Sequence, residues 1–494
     1  MKTPRLFLCA LFVALSASPG WSAEDGWIAL FDGRSLTGWK ASENPGSPRV
    51  EDGAIVCEGK RAHLFYVGPD GRAEFENFEL ELEVKTEPGA NSGVYFHTRW
   101  QDSGWPTAGF EAQVNNRQPV FKEYDYRENK KTGSLYGLRN LYKPMVPDGE
   151  WFTMNIRVHR PRVEIRLNGQ LVTEYTEPAN PDLPPPAPPL NRLGRGTFAL
   201  QCHDEDSRAR YRNIRVRVLP PGEDPAHPRP TYTEQDLRRL VLGRDNFPLV
   251  DLHTHLKGDL DLAQVLATGH RTGMKAGIAT NGGVGFPIQN DTAALAFVQQ
   301  MQAHPVFIGL QAEGREWTGM FKPATRAAFD YIFTDSMTWT NRDGRRLRLW
   351  IPEETEVGPD VQDFMEQLTA QAVKIIETEP IDIYVNPTYL PDVIAARYDE
   401  LWTEDRMQRI IAAAVKHGVA IEINCRYRIP SEKFLRLAKA AGAKFTIGTN
   451  NTGAADWGDW SYAFAMQEKL KLGWKDMWVP GHAPSRAQRE LAKN

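Results

Sequence analysis

The sequence predicts a multidomain chain in which an all-β sandwich is followed by an α/β parallel barrel. Up to about residue 218, apolar residues recur at every second position; beyond about residue 246, short apolar runs alternate with helical stretches. Between them lies LPPGEDPAHPRPTYTEQD (219 to 236), with five prolines and no apolar period. At 494 residues the chain exceeds one ordinary hydrophobic core, which agrees with two or three folded units.

Residues 1 to 23 read as an export signal: Lys2 and Arg5 precede an apolar run from Leu6 to about Ala17, and small residues follow from Ser18 to Ala23. That run is short for a bilayer and no later stretch does better, so a soluble protein, periplasmic or extracellular, is expected. Cys9 leaves with the signal. Cys57, Cys202 and Cys425 remain, and three cysteines cannot all pair, which excludes a disulfide scaffold. A Cys57 to Cys202 bridge and buried free thiols both stay open. Charges nearly cancel, 59 basic against 63 acidic, with no basic run. That argues against nucleic acid and anionic membranes as partners and for a neutral small molecule.

In FELELEVK (78 to 85), Phe78, Leu80, Leu82 and Val84 share one face and Glu79, Glu81 and Glu83 the other. WFTMNIRVHRPRVEIRLNGQLVTEY (151 to 175) supplies further strands, with Asn168-Gly169 as a hairpin turn. The proline cluster PANPDLPPPAPPLNR (178 to 192) reads as a rigid surface excursion between two strands. Residues 220 to 245 read as linker. After it, FPLVDL, MKAGIAT, PVFIGLQ, YIFTD, IDIYVN, VAIEIN and KFTIGT are strand candidates, with helices such as 360 to 378 and 403 to 417 between them. That order implies parallel βα units closing into a barrel.

A sheet with one face in the core presents its alternate residues to solvent or ligand. In NSGVYFHTR (91 to 99), Val94 and Phe96 take the core side, leaving Tyr95, His97 and Arg99 opposite. In GFEAQVN (109 to 115), Phe110, Ala112 and Val114 pack, and Glu111, Gln113 and Asn115 face out. In TFALQCHD (197 to 204), Phe198, Leu200 and Cys202 pack, and Gln201 and His203 face out. If these strands share one sheet, their polar faces meet in one groove. Arg212 has the parity of Ile214, Val216 and Val218, the core side, where a charge needs a partner or a strand end.

The phrases LFDGRSLTGW (30 to 39), NSGVYF, GFEAQV, GSLYGL (133 to 138) and LQCHD...RYRNIRV (200 to 216) occur in this order. Together they make residues 26 to 219 resemble the 3-keto-disaccharide hydrolase-like domain, a concanavalin-like jelly-roll sandwich of exported bacterial proteins in sugar metabolism. The resemblance implies a sugar already oxidised at C3, whose ketone acidifies the C2 proton so that a base removes it and the C1 substituent leaves. Such chemistry needs a base near C2, a donor at the enolate oxygen and an acid at the leaving oxygen. Glu111, His203 and Arg99 are the residue types for those roles. Asn91, Tyr95, Gln113, Lys122, Tyr136, Gln201 and Arg212 are the substrate-binding candidates. A pure carbohydrate-binding module is the reading from a different class, with Trp39, Tyr95, Trp100 and Trp105 to stack on sugar rings.

The second half opens with DLHTHL, whose Asp251, His253 and His255 alternate along a strand and so share one face. Imidazole pairs of this kind suit zinc, manganese or iron. The pattern, over about residues 246 to 455, resembles the PHP (polymerase and histidinol phosphatase) superfamily of metal-dependent phosphoesterases and more loosely the amidohydrolases, and implies a PHP-like (β/α)7 barrel for residues 246 to 494. Further strands end in Asn281, Glu313, Asp335, Asn386, Asn424 and Asn450. Where that superfamily carries T-D-H, H-P and S-D-x-H, this chain has Thr280-Asn281-Gly282, Asn386-Pro387 and Thr449-Asn450-Asn451-Thr452. The set left for one divalent metal is Asp251, His253, His255, Glu313 and Asp335; a degenerate barrel kept for structure or binding is the alternative.

The expected protein is an exported enzyme that cleaves or hydrates 3-keto-glycosides in its sandwich, without a cofactor there, and carries an accessory barrel. The alternatives are a metal-dependent (phospho)esterase barrel with a glycan-binding sandwich, and a glycan-binding protein without catalysis.

Overall fold

The computed structural model describes residues 26–116, 120–121, 126–180, 191–341 and 343–493. The export signal, Lys122 and most of the second proline cluster lie outside the described residues.

The first half contributes strands β1 (Trp27–Ala29), β2 (Trp39–Ala41), β3 (Pro48–Glu51), β4 (Ala54–Glu58), β5 (Ala62–Tyr66), β6 (Phe78–Thr86), β7 (Ser92–Thr98) and β8 (Phe110–Val114). They continue with β9 (Val120–Phe121), β10 (Tyr126–Arg127), β11 (Phe152–His159), β12 (Arg162–Leu167), β13 (Gln170–Thr176), β14 (Thr197–Cys202) and β15 (Arg208–Val218). Two sheets face each other. One runs β13-β12-β11-β6-β15-β4-β3, with β1 added on β15; the other runs β2-β5-β14-β7-β8. Leu80, Leu82, Val84, Val94, Phe96, Ala112, Ile156 and Leu200 lie in the single core between them, as the period-two pattern requires. Asn168 and Gly169 join β12 to β13 with φ of 48° and 82°, the paired left-handed conformation that a two-residue hairpin demands. Cys57 and Cys202 are free thiols buried in this core.

On the outer face of the larger sheet, Glu79, Glu81 and Glu83 pair with Arg217, Arg215 and Arg212, each at 2.5 Å. Arg212 therefore points outward, against its sequence parity. The β15/β6 register slips between Arg212 and Arg215, and Asn213 sits there at φ 52°. This one-residue bulge reverses the alternation, so Ala209 and Tyr211 are buried before it, and Ile214 and Val216 after it.

The segment read as linker is partly helical. Thr233 and Asp236 form a reciprocal capping box that starts α1 (Glu234–Arg244), a signal present in the sequence as T-x-x-D. The two halves are in contact. Buried Arg139 donates from Nε to the His270 carbonyl at 2.8 Å and from one terminal nitrogen to the Arg271 carbonyl and the Tyr232 hydroxyl, both at 2.6 Å. Lys143 pairs with Asp330 at 2.7 Å.

The second half builds β16 (Val250–Thr254), β17 (Lys275–Gly282), β18 (Phe307–Ala312), β19 (Tyr331–Thr334), a small hairpin of β20 (Thr338–Thr340) and β21 (Arg346–Arg348), β22 (Ile383–Tyr384), β23 (Ala420–Asn424) and β24 (Phe445–Gly448). Seven of these, β16-β17-β18-β19-β22-β23-β24, form a closed parallel barrel in which Asp251 of β16 meets Ile447 of β24. Helices Val361–Thr378 and Glu404–His417 fall where the sequence places them. Among the described residues, no helix is long and apolar enough to cross a membrane.

Candidate active site

Three neighbouring strands of the smaller sheet, β14, β7 and β8, turn one face to the core and the other to a cavity of about 470 Å³. Alternation puts Tyr95, Glu111, Gln113 and Gln201 on the cavity side, and His203 follows the end of β14. Tyr95 lies directly opposite Glu111 in the ladder and donates its hydroxyl to Oε2 at 2.8 Å. Gln201 Nε2 reaches Glu111 Oε1 at 3.2 Å and the Tyr95 hydroxyl at 3.1 Å. Beside them Gln113 Nε2 donates to Asn91 Oδ1 at 2.9 Å. Gly93 shares this face, and a side chain there would overlap the Glu111 carboxylate. The acid occupies space that only glycine leaves open.

Burial raises the pKa of Glu111 from 4.5 to about 8; the charge of Glu128 adds to this, while the Tyr95 and Gln201 hydrogen bonds and Lys130 oppose it. Glu128 also lines the cavity. Its Oε2 accepts from the hydroxyls of Tyr126 at 2.9 Å and Tyr136 at 3.0 Å, and its Oε1 from the Lys130 ammonium at 3.2 Å. His203 places Nδ1 2.6 Å from Asp204 Oδ2 and its ring 5.2 Å from Trp105. Trp105 is 44% exposed and lines the cavity.

Of the sandwich residues singled out by sequence, Asn91, Tyr95, Glu111, Gln113, Tyr136, Gln201 and His203 line this one cavity. Lys122 lies outside the described residues. Two expectations are corrected. Arg99 is exposed and off the cavity, because alternation breaks at His97: that residue adopts φ 53°, and its Nε2 meets the Glu76 carbonyl at 2.7 Å. Arg212 lies on the opposite sheet, beyond the core, for the bulge reason given above. Sequence reasoning missed Glu128, Asn191 and Arg244 as lining residues. They stand in or beside loops with no period to betray them.

A second polar cluster fills the ends of the barrel strands. Asp251 is occupied in joining β16 to β24, accepting from the Thr449 hydroxyl and backbone and from Trp460 Nε1. His253 places Nδ1 2.6 Å from Glu422 Oε1, a partner that sequence reasoning missed, and its Nε2 is buried without a hydrogen bond. His255 Nδ1 lies 3.2 Å from the Ala279 carbonyl. Glu313 accepts from Asn281 and Thr338, and Asp335 from Asn386. Burial raises both acids, Glu313 to about 8 with Asp335 adding to it. Among the described residues, no three His, Cys, Asp or Glu side chains converge as a metal-binding group.

Residues 26–217 match the model of the 3-keto-alpha-glucoside-1,2-lyase-like domain. The 3-keto-disaccharide hydrolase of Bacteroides thetaiotaomicron is 27% identical over 236 residues, which span 40% of this chain and 79% of that protein. A provisionally named glycosyl hydrolase of Parabacteroides distasonis, of known structure, is 25% identical with a TM-score of 0.33, over 40% of this chain and 94% of that one. A second such protein from the same organism is 26% identical with a TM-score of 0.31, over 39% and 99%. The barrel lies outside the family-model match.

Proposed function

We propose that the sandwich cavity cleaves 3-keto-glycosides by elimination and returns the product by hydration. The observation that carries this reading is Glu111: a carboxyl buried at the floor of a sugar-sized cavity and held near pKa 8, within reach of a weakly acidic C–H. Glu111 takes the C2 proton, and the electron pair moves into the enolate at the C3 oxygen. Asn91, its Oδ1 engaged by Gln113, has its amide NH2 left as a donor for that oxygen. This replaces the role expected of Arg99. As the enolate collapses, the C1–O bond breaks and His203 protonates the leaving oxygen, giving an enone and an alcohol. Addition of water across the new double bond restores a 3-keto sugar. With the export signal read from the sequence, the work is done outside the cytoplasm.

The test is consumption of a 3-keto-glucoside by residues 24 to 494, purified without added metal, for wild type, Glu111→Gln and His203→Ala. Loss of turnover in Glu111→Gln, with sugar binding kept, is expected. Full turnover in that variant would sink the reading.

A second reading places chemistry in the barrel, as a metal-dependent (phospho)esterase served by a glycan-binding sandwich. The unpartnered His253 Nε2 favours it; among the described residues no converging ligand set supports it. Stoichiometric metal in the purified protein, with esterase activity lost to a chelator, would support it. Metal-free protein with intact 3-keto-glycoside turnover would remove it.

A further inference from the structure

The cavity is not walled by the sandwich alone. Arg244, the last residue of α1 and outside the family-matched segment, lines it beside Tyr136 and Gly137. Its position is fixed from both sides. Asn140 donates from Nδ2 to the Gly243 carbonyl at 3.0 Å while its Oδ1 accepts from the Gly137 N–H at 3.0 Å, so one side chain ties the cavity loop to the helix end. Gly137 takes φ 73°, and a Cβ there would come 3.3 Å from Arg244 Cγ, so the two backbones are in close approach.

Just beyond, Asn246 at φ 63° donates from Nδ2 to the Arg127 carbonyl at 2.7 Å. Its Oδ1 accepts from the Lys130 ammonium at 3.1 Å and its carbonyl from Asn129 Nδ2 at 3.0 Å. Lys130 in turn holds Glu128 in the cavity wall. The 243–246 segment is thus bonded into the loop that carries the polar wall.

We propose that Arg244 is a specificity-determining residue of the sugar site, donating N–H groups to oxygen atoms of the leaving-group portion of a disaccharide. The proposal rests on the function proposed above. Glu111, Tyr95 and Gln201 sit on the sheet floor, where C2 of the keto sugar must lie. Arg244 arrives from a separate segment at the wall, where the second ring would extend. A cavity of about 470 Å³ has room for two rings. A guanidinium carries five N–H donors in a planar fork, so it can keep a protein partner and still meet a saccharide oxygen.

The test separates binding from turnover. In full-length Glu111→Gln protein, calorimetric titration compares a 3-keto-disaccharide with the corresponding methyl 3-keto-glycoside, with Arg244 intact, as Arg244→Ala and as Arg244→Lys. The preference for the disaccharide is expected to fall about tenfold in Arg244→Ala and less in Arg244→Lys, the size of one lost hydrogen-bonding group. An unchanged preference in both variants overturns the proposal. Lysine keeps the stem and charge, so it serves if the alanine variant folds poorly. Wild-type turnover, followed in parallel, tells the two proposals apart. A lost preference without wild-type turnover sinks the elimination chemistry alone; turnover with an unchanged preference sinks the role of Arg244 alone. Binding of neither sugar sinks both.

Discussion

The Tyr95 hydroxyl donates to Glu111 Oε2 at 2.8 Å across one rung of the β7–β8 ladder. That bond stabilises the charged carboxylate and so holds the Glu111 pKa below where burial alone would take it. Tyr95→Phe should move the inflection of the pH profile upward. In wild type, kcat/KM should rise with pH and level off above about 8, as Glu111 loses its proton. A profile flat from pH 6 to 9 would show that Glu111 is not the titrating base.

The same shift bears on stability. The folded-state pKa of Glu111 is raised above the ordinary 4.5, so its contribution is fully present below that value and is lost as pH rises through about 8. Glu111→Gln cannot ionise. Thermal melts should therefore show the variant gaining on wild type between pH 6 and 9, and a constant gap would contradict the assignment.

Gly93→Ala is expected to act like a catalytic lesion although glycine does no chemistry. The added methyl must displace the Glu111 carboxylate, which the facing strand gives little room to move. Turnover should fall on the order of a hundredfold, as for a misplaced reacting group. A crystal structure of the variant would show whether Glu111 has swung away.

Arg99→Ala and Arg212→Ala should each leave kcat/KM within about twofold of wild type. Arg99 is off the cavity, and Arg212 pairs with Glu83 on the outer sheet, 39% exposed, where such pairs contribute about 1 kcal/mol or less. A large loss in either would place it near substrate after all.

His253→Ala leaves the Glu422 carboxylate buried without the imidazole 2.6 Å away. Glu422 keeps the Asn386 N–H and Asn424 Nδ2 as donors, so loss of the imidazole costs about 1–3 kcal/mol, and the melting temperature should fall by several degrees. Circular dichroism of the barrel's helical signal would follow it.

Much of the fold was legible because both repeats are strict. Alternation placed Tyr95, Glu111, Gln113, Gln201 and His203 on one face, and seven apolar runs became the seven barrel strands. Alternation fails wherever a strand gains a residue. His97 and Asn213 take left-handed backbone at such points, which put Arg99 and Arg212 on the wrong side in the sequence reading. Glu422 was within reach of the same logic, since it alternates with Ile421 and Ile423 in AIEIN as His253 does in DLHTHL. Arg244 was not, because its place beside Gly137 depends on how the halves dock, and no local period encodes that.

The bulge at Asn213 makes the length of β15 matter more than its spelling. Arg208, Arg210 and Arg212 stay in water because the extra residue between them and the apolar Ile214 and Val216 is taken up as a bulge. Loss of Asn213 alone would leave Tyr211 inward, Arg212 outward and Ile214 inward in strict alternation, so the bulge would vanish with the phase kept. Loss of a codon between two buried positions, at Arg210 or Arg215, would instead turn an apolar residue outward. Deletions should therefore be tolerated at Asn213 and purged from the rest of the strand in descendants that freely trade its arginines for lysines.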